Sequence, residues 1–171
     1  MLSQHSSPRR RLAAAGALLF SAALVLTGCS GGLASGGEDA ASSDGPIKLG
    51  MLAPFSGSEA AFGDYMKFGA QLAIDEVNAD GGVDGRDLEL VTEDDACDAT
   101  AAVAAAQKLV TAGVEGSVGG YCSGATLPTL PIFAEAGIPM VIPAANSNEL
   151  VGQGAFMING TGTQQAEAAV E

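Results

Sequence analysis

From residue 47 onward, short apolar runs alternate with longer stretches of helical periodicity, and glycine or proline marks most of the joints. That alternation constrains the fold more than any other feature. Residues 47–53 (IKLGMLA) predict a strand. Met66, Ala70, Ala73, Ile74 and Val77 then recur at helical spacing, predicting an amphipathic helix over 63–79 that stops at Asp80-Gly81-Gly82. Residues 87–93 alternate as a second strand. Asp98 stands where an N-cap belongs for a helix over 99–112, and Gly113 follows its end. Strands are predicted at 115–119, 139–142 and 155–158. A helix over 125–136 carries Pro128 near its first turn and an irregular start at Pro131, and another helix begins at 163. Strand–helix repeats with connections of this length give parallel pairing, so the expected fold is α/β, a doubly wound parallel sheet with helices on both faces. Ligands of such sheets sit beyond the carboxyl ends of the strands, which singles out the loops after the first, third and fourth.

The chain opens differently. Arg9, Arg10 and Arg11 precede an uncharged Ala- and Leu-rich stretch over 12–26 that ends in Leu26-Thr27-Gly28-Cys29. A run this short with a basic flank reads as a signal peptide rather than a membrane span. Leu-x-Gly-Cys resembles the bacterial lipobox, whose cysteine becomes a lipidated N-terminus; an ordinary cleavable signal with an incidental cysteine is the alternative. The expected organisation is a lipoprotein signal peptide over 1–28, lipidated Cys29 with a flexible Gly/Ser/Ala/acid tether over 29–46, and a globular body over 47–171. The expected location is the extracytoplasmic face of the cell membrane. Removing the signal takes three of the seven basic residues and the single histidine, His5, leaving 4 basic against 20 acidic residues, a net charge of −16. A surface this acidic repels nucleic acid. With Cys29 lipidated, Cys97 and Cys122 remain, either as a disulfide in an oxidising compartment or as two buried thiols.

Enzyme signatures are missing where they would be needed. The loop after the first strand, Ala53-Pro54-Phe55-Ser56-Gly57-Ser58, lacks G-x-G-x-x-G, and Ser123 lacks the glycine two residues ahead that a nucleophile elbow requires. Without histidine the mature chain also lacks the commonest general base. Neither catalysis nor a cofactor is expected. Asp80, Asp84 and Gly85 faintly resemble a calcium loop, but Val91 stands where its glutamate would be, so a solvated turn is the favoured reading. Glu93, Asp94, Asp95 and Asp98 read as a cap and a solvated loop before they read as a metal site. The remaining loops, 121–126 and 144–148, combine small residues with hydroxyls at Ser123 and Thr126 and an amide at Asn146. Such residues either cap helices or bind an anion such as a carboxylate.

The segments IKLGMLAPFSG, AFGDYMKFGAQLAIDEVNADGGVDGRDLELVTEDDACD, VGGYCSGATLP and GIPMVIPAANSNEL resemble the leucine/isoleucine/valine-binding proteins, the type I periplasmic binding proteins of branched-chain amino-acid ABC importers. The resemblance implies a ligand held between two lobes, a disulfide joining Cys97 and Cys122, and an ABC permease as partner. It places the carboxylate contact on Ser123, the ammonium-facing carbonyl on Ala144, the α-group ligand on Asn146 and an aromatic pocket wall on Phe62. Two positions depart from the pattern: Asn146 replaces threonine, and Phe62 replaces tyrosine or tryptophan. An α-amino acid remains the expected ligand, with the choice among leucine, isoleucine, valine and others left open. The resemblance further implies that this chain ends within the first lobe, with little ligand affinity of its own. A ligand-sensing module of the same fold is the alternative to an importer's receptor.

Overall fold

The structure, a computed structural model, describes residues 45–170. The predicted signal peptide, Cys29 and the tether as far as residue 44 lie outside the described residues. Five parallel strands form one sheet in the order β2-β1-β3-β4-β5, with β1 at Ile47–Ala53, β2 at Leu88–Asp94, β3 at Gly116–Val118, β4 at Met140–Ile142 and β5 at Phe156–Met157. The chain moves outward from β1 to β2, crosses back to β3, and then proceeds in the opposite direction. The reversal makes β1 and β3 the switch point of a doubly wound sheet.

Alternation along β1 decides which face each residue serves. Leu52 joins the buried cluster with Leu109, Val114 and Phe133. A Cβ on Gly50 would meet Leu109 and Val114 at 3.1–3.3 Å, so that side of the strand lies directly under α2 (Ala99–Thr111). Leu49 and Met51 point the other way, toward α1 (Ala60–Ala79). Ala102, Ala105 and Ala106 are buried along α2, and their small side chains let it approach the sheet closely. Asp98 caps α2, its carboxylate accepting from the N–H groups of Thr100 (2.9 Å) and Ala101 (2.8 Å).

Two expectations need correction, and one element was not expected. The first helix starts at Ala60 rather than 63, because backbone bonds from Ala60 N–H to Gly57 O and Phe62 N–H to Glu59 O carry a first turn that apolar spacing does not mark. The helix expected over 125–136 is instead three pieces: α3 (Ser123–Thr126), a 3-10 turn (Leu127–Thr129) and α4 (Leu130–Glu135). Pro128 and Pro131 each withdraw an N–H from the α-helical ladder. The Thr126 and Thr129 hydroxyls bond back to the carbonyls of Cys122 and Thr126. Finally, a 3-10 turn at Asn148–Leu150, which the sequence pattern did not suggest, follows β4. Ser147 Oγ caps it, accepting from Glu149 N–H, and Leu150 is driven into the core. The last helix, α5, runs Gly162–Val170.

Candidate functional site

Three loops meet at the carboxyl end of the sheet. After β1, a Cβ on Gly63 would collide with the Pro54 carbonyl, so only glycine lets α1 press against the turn that follows the strand. This close approach holds Phe62 at the tip of β1. After β3, Gly120 adopts φ +96°, and a Cβ there would also crowd Thr126 at 2.9 Å. The chain then turns through Tyr121 and Cys122 into α3. After β4, Ala145 N–H donates to Gly120 O at 2.8 Å, tying the tip of β4 to that of β3.

Ser123 sits where these tips join. Its Oγ accepts from the backbone N–H groups of Asn146 and Ser147, each at 3.2 Å. A hydroxyl has two lone pairs and one proton, so with both lone pairs occupied its O–H is left to donate outward. Cys122, the N-cap residue of α3, supplies no side-chain cap, and among the described residues no acceptor takes the N–H of Ser123 or Gly124. These three donors come from two consecutive residues at the start of α3.

The other residues singled out from the sequence are partly engaged within the chain. The Ala144 carbonyl accepts from Asn159 Nδ2 at 2.8 Å, leaving one lone pair. The Asn146 N–H is taken by Ser123, its carbonyl by Gly162 N–H at 2.8 Å, and its side-chain amide donates to Gln165 Oε1 at 3.3 Å. Asn146 thus links β4 to α5. The free N–H groups belong instead to Ser123 and Gly124. Apolar spacing gave no sign of Asn159 or Gln165, whose partners lie 15 and 19 residues away. Phe62 stacks on Tyr121, ring centroids 4.8 Å apart and planes 17° from parallel. Tyr121 lies in the 121–126 loop singled out from the sequence, but its stacking on Phe62 was not legible there because the contact depends on how two loops come together.

Cys97 and Cys122 are joined in a disulfide, Cα atoms 5.3 Å apart, clamping the entry to α3 against the loop before α2. Ala96 (φ 48°) and Cys97 (φ 54°) are left-handed, a conformation costly for residues with a Cβ. Two neighbouring carboxylates hold it. Asp94 Oδ1 accepts from Phe55 and Ala96 N–H at 2.8 Å each, and Asp95 Oδ1 from Cys97 N–H at 2.9 Å. Burial works to raise Asp94, but hydrogen bonds from Ser56, Phe55 and Ala96 outweigh it and leave its pKa below the ordinary value. Asp95 is 1% exposed, and burial holds its pKa above the ordinary value. These oxygens brace backbone, and among the described residues no group of three or more His, Cys, Asp and Glu is placed to hold a metal ion. The other calcium-loop candidate is a tight turn, with Asp84 at φ 52°, Gly85 at φ 79° and Val83 bridged to Arg86.

Comparison with known proteins bears on family and fold. The family model described as Periplasmic binding protein matches residues 46–171. The leucine-, isoleucine-, valine-, threonine- and alanine-binding protein of Pseudomonas aeruginosa is 41% identical over 112 residues, 66% of this chain and 30% of that protein. Among solved structures, the branched-chain amino acid transporter substrate-binding protein of Streptococcus pneumoniae in complex with isoleucine superposes with a TM-score of 0.64 at 36% identity, covering 68% of this chain and 34% of its own. An ABC transporter substrate-binding protein of Desulfitobacterium hafniense in complex with Leu gives 0.65 at 31% identity, covering 72% and 37%. The chain therefore spans about a third of the length of the relatives it matches, and those relatives are solute-binding proteins, not enzymes. On the family model and these identities, the chain belongs to the periplasmic binding protein family.

Proposed function

We propose that this chain belongs to the substrate-binding component of an ABC importer and receives the carboxylate end of a branched-chain or related amino acid at the tips of β3 and β4. The observation that carries the reading is the donor set at Ser123: one outward O–H and two backbone N–H groups without an acceptor among the described residues. Such a set suits a carboxylate oxygen pair better than any neutral group. The remaining lone pair of Ala144 O suits an ammonium, and Phe62 suits an apolar side chain. The relatives that bind leucine, isoleucine and valine support the ligand class. In the complete receptor the opposite pocket wall comes from a second lobe, and closure between the lobes holds the ligand.

The same reading makes the chain an extracytoplasmic lipoprotein, anchored through Cys29 and delivering ligand to a membrane permease. The Leu26-Thr27-Gly28-Cys29 junction and the acidic mature composition support it. Changing Cys29→Ala is expected to move the protein from the membrane fraction to the soluble one; continued membrane association would count against the anchor.

The site is tested by joining this chain to the remaining length of a Leu/Ile/Val-binding relative and titrating the two-lobed protein with leucine, isoleucine and valine. Ser123→Ala removes the O–H donor and leaves the Asn146 and Ser147 N–H groups without their acceptor. Calorimetry is expected to show affinity falling by about 1.5–3 kcal/mol, the usual range for a hydrogen bond to a charged group. Equal affinity of variant and parent would refute the carboxylate assignment.

A further inference from the structure

The peptide units that follow β4 form a short ribbon with partners on both sides. On one side, three consecutive carbonyls accept from the segment that leaves β5. Asn159 Nδ2 donates to Ala144 O at 2.8 Å and to Ala145 O at 3.4 Å, and Gly162 N–H donates to Asn146 O at 2.8 Å. On the other side, the N–H groups of the same peptide units reach the tip of β3. Ala145 N–H donates to Gly120 O, and Asn146 and Ser147 N–H to Ser123 Oγ. Geometry links the two sets. No peptide bond among the described residues is cis, and a trans peptide is planar, so each C=O points opposite to the N–H of the next residue. A donor that holds the Ala145 carbonyl therefore aims the Asn146 N–H.

β5 carries Asn159 to this ribbon, Ile158 N–H donating to Ile142 O at 3.2 Å. α5 buries none of its residues, so hydrogen bonds rather than apolar packing join this segment to the loop after β4. Asn159 Oδ1 is buried with no partner among the described residues. Turning the amide over would set that oxygen against two carbonyls, so what Nδ2 donates fixes its orientation.

We propose that Asn159 is a positioning residue of the ligand site: by holding the carbonyls of Ala144 and Ala145 it aims the Asn146 N–H at Ser123 Oγ and so keeps the Ser123 hydroxyl donating outward. Gly162 N–H does the same for the Ser147 N–H. The proposal rests on the carboxylate site at Ser123 and adds the groups that set its geometry. Asn159 acts on the ligand's carboxylate through Ser123, without touching it.

Two variants of the 171-residue chain separate this role from general bracing. Asn159→Ala removes the donor to the first two carbonyls. Gly162→Pro removes the donor to the third, at the first position of a helix, where proline is tolerated. With amide exchange followed by NMR, Asn159→Ala is expected to quicken Ala145 and Asn146 more than Ser147, and Gly162→Pro to quicken Ser147 most. Each change should be about two- to tenfold, the range of one neutral hydrogen bond. Equal quickening of all three amides in either variant, or none, overturns the proposal; should one variant not fold, the other decides. In the two-lobed protein joined to a relative's remaining length, each variant is expected to weaken leucine by a similar factor, and that loss should vanish once Ser123 is replaced by alanine. A loss that persists in the Ser123→Ala background, or no loss where Ser123→Ala alone shows one, sinks the positioning role and leaves the carboxylate site standing. If Ser123→Ala itself leaves leucine affinity unchanged, both readings fall.

Discussion

One face of the sheet lies under α2, α3 and α4, while the other carries α1 beside an open apolar groove of about 400 Å³. On the first face Leu109, Leu130, Phe133 and Ile142 are buried among one another, and the 13 residues of α2 include four that are fully buried. On the second, the 20 residues of α1 bury only Gly63 and Ile74. Met66, Ala73 and Val77 line the groove with Val118 and Val141 of the sheet, and Phe68 stands 69% exposed on the outer side of the helix. The two helices show similar apolar periodicity. Periodicity therefore reports which stripe of a helix turns toward the sheet, and says nothing of whether neighbours close over it. The end treatments differ in the same way: Asp98 caps α2 with two side-chain bonds, whereas Glu59 gives α1 none.

The sharpest way to break this contrast is to remove volume from each face. Phe133→Ala empties a position 1% exposed and is expected to cost about 3–5 kcal/mol in urea unfolding, whereas Met66→Ala in the groove should cost less than about 1 kcal/mol. Similar losses at both positions would mean that the groove is closed in solution.

Next comes the covalent tie at the entry to the packed face. Replacing Cys97 and Cys122 together by serine frees a 25-residue loop and is expected to lower stability by about 3 kcal/mol in the same assay. Because the tie anchors the start of α3, hydrogen exchange should quicken there more than along α1. Equal quickening across both faces would contradict a local role.

The smallest effect expected is one of pH. Burial raises Asp95 in the folded state, so folding favours its protonated form. Its contribution is fully present below the unfolded value near 3.8 and is lost as pH rises through the folded value. Asp94 has the opposite sign: its lowered value favours folding above 3.8, and that contribution is lost in acid. Asp95→Asn keeps the acceptor for Cys97 N–H and removes the charge, so it should gain on the parent as pH rises from acid to neutral. A constant difference between the two proteins across that range would show that Asp95 carries no such penalty.

Much of the fold was legible because it depends on neighbours in sequence. β1 fell at residues 47–53 as its apolar run implies, and α2 began after Asp98, where a carboxylate reaches the N–H groups two and three residues on. The prolines at 128 and 131 signalled an irregular helix, though not its division into three pieces, which needed the threonine hydroxyls to settle each joint. At the site, Ser123 was legible as a hydroxyl in a turn between strand and helix. Its acceptor role toward Asn146 and Ser147 was not, because those groups arrive from another loop more than 20 residues away.

What the sequence determined alone was the order and approximate span of strands and helices, the parallel sheet they imply, and the end of that sheet where small and hydroxylic residues gather. These follow from local sterics, capping and the two periods of side-chain direction, which act within a few residues. Only the tertiary structure decided which donors at that end stay free, that Phe62 meets Tyr121, and that α1 covers its face so sparsely. Each depends on groups brought together from separate loops, whose final partners are set by how the sheet twists and how closely the helices can approach it.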